Sequence, residues 1–111
     1  MKRIEKPWGY EEILSSNDRY TMKRLFMRQD QQCSMQLHKF KHETIYVLEG
    51  QLMIITSFDQ GHGRILLPGE VYIIPPGNIH RMRARVDTLY LEASTSELDD
   101  VVRIQDDYGR V

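Results

Sequence analysis

Two stretches far apart in this chain read as the halves of one site, and few folds can join them. The first is Gln36-Leu37-His38, then four residues, Glu43, six residues and Gly50. The second is Gly69, five residues, Pro75-Pro76-Gly77, two residues and His80. Each half lies in a run of β-branched and aliphatic residues that reads as a strand, and Gly50 and Pro-Pro-Gly mark turns. A β-barrel bounded by such turns brings Gln36, His38, Glu43 and His80 to one point, which neither half does alone. Two imidazoles, a carboxylate and an amide oxygen make a mixed nitrogen and oxygen set suited to a divalent transition metal.

The rest of the chain reads the same way. Candidate strands fall at 10–14, 20–28, 34–38, 43–49, 51–57, 64–67, 71–74, 79–85 and 88–94. Turn formers separate them, among them Ser15-Ser16-Asn17-Asp18, Asp59-Gln60-Gly61-His62-Gly63 and Pro68-Gly69. Many short strands with no long helical period predict an antiparallel all-β sandwich or barrel. Only the stretch from Thr95 to Asp107 is a helix candidate. Ser96 would cap a turn starting at Glu97, with Asp99 and Asp100 near its positive end. Val101, Val102 and Ile104 give no helical stripe, so one turn and an extended tail are expected.

A chain of 111 residues suits one domain, 1–111, with an N-terminal arm and first strand at 1–14 and a C-terminal turn and tail at 95–111. That length supports a core without a disulfide or metal as an obligatory staple. A net charge of −1 argues against a general nucleic-acid or membrane-surface binder. No apolar run approaches membrane-spanning length. Cys33 is alone, so no internal disulfide forms, and no apolar segment follows the basic N-terminus. A cytoplasmic protein is therefore expected.

The two halves resemble the paired motifs of the cupin superfamily, in which His-x-His, four residues and Glu form the first motif and a His follows Pro-x-Gly in the second. Gln36 stands in place of the first His, and Gln-x-His is the version seen in phosphomannose isomerases. Lys6-Pro7-Trp8-Gly9-Tyr10, Ser34-Met35-Gln36-Leu37-His38, and Asp99-Asp100-Val101-Val102-Arg103 followed by Asp106-Asp107-Tyr108-Gly109-Arg110 extend the likeness. They are similar to the isomerase domain of bifunctional mannose-6-phosphate isomerase/mannose-1-phosphate guanylyltransferases, from about Lys6 to Arg110, with no nucleotidyltransferase domain expected. One loop departs: Gln29-Asp30-Gln31-Gln32 stands where that family often has a Pro-Gly turn.

The resemblance implies a double-stranded β-helix of jelly-roll type. It also implies a metal-dependent interconversion of mannose 6-phosphate and fructose 6-phosphate, by proton transfer between C1 and C2 through an enediol. Zinc is the expected ion, with manganese, cobalt, iron or nickel as alternatives. Two other readings keep the fold. One is a non-catalytic metal-binding cupin for a sugar or other small ligand, and the other is a different cupin enzyme such as an iron dioxygenase.

Period-2 alternation puts Glu43, Ile45 and Val47 on one strand face, where a lone carboxylate wants a partner. Gln36 shares a face with His38, and is either a ligand or a hydrogen-bonding neighbour of one. Lys39 and Lys41, in the loop beside the ligands, are candidate phosphate contacts. Glu92 and His42 are the candidate proton-transfer groups. For Glu92 this needs Tyr90, Glu92 and Ser94 to face inward, whereas Leu89, Leu91 and Ala93 inward reads better as plain core. Phe40 is expected in the core or pocket wall, His62 at a hairpin tip, and Cys33 buried without a catalytic role. Arg81, Arg83 and Arg85 alternate with His80 and are expected to form a solvated or subunit-facing stripe. The arm carries Trp8 and Tyr10, enough apolar area to predict a homodimer in which two arms are buried together, with packing on its own barrel as the competing outcome.

Overall fold

The computed structural model of the chain describes residues 2–56, 63–97 and 99–110. The hairpin tip expected around His62 lies outside the described residues. Eleven strands and no helix are present among those described: β1 Lys2–Lys6, β2 Gly9–Ser16, β3 Thr21–Met27, β4 Met35–Leu37, β5 Glu43–Glu49, β6 Leu52–Ile55, β7 Gly63–Leu66, β8 Val71–Ile74, β9 Arg81–Ala84, β10 Thr88–Ser94 and β11 Val102–Gln105. The expected all-β architecture is correct.

A six-stranded antiparallel sheet has the order β1-β2-β3-β10-β5-β8. Facing it are β7-β6-β9 and β11-β4, which isolated bridges Gln32↔Arg83 and Gln36↔His80 join into one layer. The alternation of strand side chains then builds the core between the layers. Leu25, Met27, Ile45, Val47 and Tyr90 come from one sheet, and Leu52, Ile54, Leu66, Met82 and Ala84 from the other. Each such side chain, fully withdrawn from water, contributes on the order of 2 kcal/mol.

Glycines mark two places where the chain has no room for a side chain. Gly9 lies so close to β3 that a Cβ would sit 1.9 Å from the Phe26 carbonyl oxygen. Gly50, where the chain leaves one sheet for the other, has φ +94, and a Cβ there would meet Asp87 at 2.5 Å. The departing loop at 29–32 also turns sharply, with Asp30 at φ 65, a conformation that aspartate tolerates better than most residues.

The N-terminal arm is strand β1, paired along its whole length with β2. Trp8 is only 4% exposed within the chain's own core, and Tyr10 stacks on Phe26 at 5.4 Å. Their apolar area is therefore covered intramolecularly, the competing outcome to an arm shared between subunits. At the other terminus one turn is present, with Val101 N–H donating to Asp99. The Ser96 hydroxyl donates to the Asp18 carbonyl. The tail beyond is strand β11 against β4, a pairing that the sequence pattern did not reveal.

Three expectations need correction. Phe40 is 69% exposed, because Asp100 holds the 39–41 loop by its backbone and leaves this ring outside. Arg81 is fully buried rather than solvated: its Nε donates to the Cys33 carbonyl, and its guanidinium reaches Asp107 at 3.5 Å. Strand β10 takes the less expected parity, with Tyr90, Glu92 and Ser94 inward and Leu89, Leu91 and Ala93 outward. Pairing in register with β3 and β5 fixes that choice.

Candidate metal centre

His38 follows β4, Glu43 opens β5, and His80 precedes β9. The backbone brings these segments together. Gln36 N–H donates to the His80 carbonyl at 2.9 Å, and His80 N–H returns a bond to Gln36 at 2.8 Å. Gly77, in the Pro-Pro-Gly turn, donates to the His38 carbonyl at 2.6 Å. The two sequence halves are thus stitched through main-chain atoms, which hold the side chains regardless of their own chemistry.

One atom from each of His38, Glu43 and His80 lies within 4.8 Å of the other two, and all three residues are buried. His38 Nε2 and Glu43 Oε1 are in direct contact, and His80 Nε2 is 3.9 Å from the same oxygen. Among the described residues, none of these three atoms has a hydrogen-bond partner. The opposite ring nitrogens explain why. His38 Nδ1 pairs with the Asp100 carbonyl and His80 Nδ1 with the Asn78 carbonyl at 2.9 Å. A carbonyl only accepts, so each Nδ1 carries the hydrogen and each Nε2 presents a lone pair inward. Three buried lone-pair donors converging without hydrogen between them fit a divalent cation.

The charges around the site are matched to that purpose. Burial raises the pKa of the Glu43 carboxyl, but the close Glu92 and His38 side chains and the nearby Lys41 charge outweigh it and hold the group below its ordinary range. Burial lowers the pKa of His80 and so favours the neutral, ligating form. Glu92 is driven the other way: burial and the charge of Glu43 raise its carboxyl well above the usual range. Cys33, buried nearby, is pushed up to about 11 by burial, which leaves it a thiol without nucleophilic character.

The structure places the other sequence candidates as follows. Gln36 lines the same cavity, but its Oε1 accepts a hydrogen bond from the Ser34 hydroxyl at 2.7 Å, leaving one lone pair for another partner. Glu92 lines the cavity beside Glu43. Lys41 points in, its ammonium 3.9 Å from Glu43. Lys39 and His42 do not join them. Inward Lys41 and Glu43 leave the alternating His42 on the outside, where its N–H binds the Thr95 hydroxyl. Lys39 is exposed, its N–H held by Asp100.

Asp100 is the residue that the sequence reading missed. Its carboxylate accepts from the N–H groups of Lys39, Phe40 and Lys41 at 3.1, 2.7 and 3.0 Å, while its carbonyl orients His38. One residue therefore sets both the loop between two ligands and the tautomer of one of them. The only signal in the sequence is its membership of the Asp99-Asp100-Val101-Val102-Arg103 run.

The family model described as the C-terminal domain of mannose-6-phosphate isomerase matches residues 1–106. Mannose-1-phosphate guanylyltransferase from Salmonella typhimurium is 29% identical over 99% of this chain, yet the chain spans only 23% of that relative's length. KdgF from Halomonas sp. superposes with a TM-score of 0.78 at 18% identity, over 90% of this chain and 92% of that one. A cupin-superfamily protein from Silicibacter pomeroyi, described as a sugar phosphate isomerase, gives a TM-score of 0.68 at 19% identity, over 79% and 59% of the two chains. These superpositions establish the double-stranded β-helix of the cupin fold.

Proposed function

Because this chain belongs to the family of mannose-6-phosphate isomerase C-terminal domains, we propose that it is a metal-dependent aldose–ketose isomerase acting on mannose 6-phosphate and fructose 6-phosphate. The observation that carries this reading is the convergence of three unpartnered buried donors, His38 Nε2, Glu43 Oε1 and His80 Nε2, beside a second carboxyl on the same cavity wall. Gln36 is proposed as the fourth ligand through its remaining lone pair. A divalent ion held by His38, Glu43, His80 and Gln36, zinc first, would supply Lewis acidity for the substrate oxygens at C1 and C2.

The chain's own groups carry the rest. Glu92 takes the proton from C2 of the aldose and returns it to C1, while the hydroxyl proton passes from the C2 oxygen to the C1 oxygen. Burial of Glu43, Glu92 and His80 limits water at the reacting carbons. Lys41 balances charge beside Glu43.

Supplying mannose 6-phosphate with Zn²⁺, Co²⁺ or Mn²⁺ is expected to yield fructose 6-phosphate. Metal retention and ligand-induced thermal stabilisation without turnover would sink the isomerase reading and leave a binding cupin. A homodimer also remains a proposal. Since Trp8 is internal, sedimentation of the full-length chain is its check, and deletion of the arm is expected to unfold the barrel rather than separate subunits.

A further inference from the structure

The cavity that holds the metal ligands extends along both sheets to a second cluster that the isomerisation step leaves unused. In one sheet Glu92 on β10 pairs in register with Lys23 on β3, and Glu43 lies one inward position along on the neighbouring β5. In the other, Gln36, whose backbone bridges to His80, pairs with Arg103 on β11, and both Gln36 and Arg103 line the cavity. Each sheet thus sets a cation two strands from a metal ligand, about 10 Å away at the usual strand spacing.

The charge at that end is unbalanced. Lys23 and Lys6 share one carboxylate, Glu11, at 3.5 and 4.0 Å. Arg103 makes no ion pair among the described residues, and its Nε is buried without a hydrogen-bond partner. Three cations therefore face one anion. Arg110, on the same wall, is already matched by both carboxylate oxygens of Asp106. The hydroxyl of Tyr90, fully buried on the cavity wall, is also unpartnered. A buried guanidinium Nε and a buried hydroxyl left without partners carry a cost that an anionic ligand removes.

We propose that this end of the cavity binds the phosphate monoester of the substrate, with Arg103 and Lys23 reaching it from opposite sheets and Lys6 beside them. A phosphate monoester carries about −1.5 to −2 charge at neutral pH, which matches the surplus of two positive charges. The arginine fork suits its oxygens. The inference rests on the sugar-phosphate reading and moves phosphate recognition away from Lys39 and Lys41. It also fixes the direction of the sugar, with the phosphate between β3 and β11 and C1 and C2 at the metal ligands.

The test is calorimetric titration of metal-loaded protein with inorganic phosphate at constant ionic strength, with chloride as control. Wild type is expected to bind phosphate, Arg103→Ala to bind it at least tenfold more weakly, and Arg103→Lys to recover part of the loss. Metal content and melting temperature of both variants should match wild type, because Arg103 is neither a ligand nor part of the core. Equal phosphate affinity in wild type and Arg103→Ala overturns the site, as does a wild type that binds none. Turnover separates the two ideas. Phosphate binding that depends on Arg103, in a wild type that converts no sugar phosphate, removes the isomerase reading and keeps the anion site. Turnover with KM unchanged in Arg103→Ala removes the anion site alone.

Discussion

The two faces of the six-stranded sheet invert the usual arrangement near the metal centre. The outer face presents Met22, Tyr46, Val71 and Ile73, each at least 37% exposed, with Leu89 and Leu91 half-buried among them. The inner face carries Glu11, Lys23, Glu43 and Glu92, all buried. A chain selected for stability alone would exchange these sets, since buried charge costs more than exposed aliphatic surface. The same inner face also carries Leu25, Ile45, Val47 and Tyr90, so charged and apolar side chains share the interior row by row.

The widest separation between the faces is expected from His80→Ala or His38→Ala. Either should abolish metal retention, read by elemental analysis, while the melting temperature without metal changes little. A His80→Ala protein that keeps one ion per chain at unchanged affinity would falsify the ligand assignment. Asp100→Ala removes the acceptor for three loop N–H groups beside His38, and a tenfold to 100-fold loss of metal affinity is expected. Unchanged affinity there would mean that the backbone carbonyl alone orients His38.

Gln36→Ala should weaken metal binding less than either histidine change, because water replaces an amide oxygen readily. A loss as complete as that of His80→Ala would put Gln36 on a par with the imidazoles. On the outer face, Leu91→Thr should cost less than about 1 kcal/mol in denaturant melts and leave metal content unchanged. A larger cost would show that something covers that face in solution. The smallest effect concerns acid. Arg110 holds the Asp106 carboxyl down at about 2, so this pair stabilises the fold above the ordinary aspartate range, and the contribution fades as pH falls through about 2. Arg110→Ala should remove that part of the acid dependence, worth no more than about 1 kcal/mol.

This inversion also explains what the sequence disclosed and what it withheld. The ligand spacing was legible because His38, Glu43 and His80 sit at turn-bounded strand ends, where local pattern sets position. The orientation of β10 was not. Leu89, Leu91 and Ala93 look like a core stripe, and only pairing with β3 and β5 turns them outward and Glu92 inward. Arg81 was misjudged for the same kind of reason. Its partners, the Cys33 carbonyl and Asp107, come from segments that no local pattern connects to it. Strand β1 was hidden by Lys2, Arg3, Glu5 and Lys6, an edge whose charges suppress the strand signal.

The bond from His38 to the Asp100 carbonyl has a consequence for how the protein is made. A chain emerging from the ribosome has both imidazoles and Glu43 in hand once residue 80 is out, yet His38 lacks its orienting acceptor until Asp100 follows. The outward strand β10 and the return of the tail onto β4 must also form first. Long-range pairings of this kind are slow to close. If the proposed metal reading holds, tight capture of an ion comes late in synthesis, and metal content would report a finished molecule.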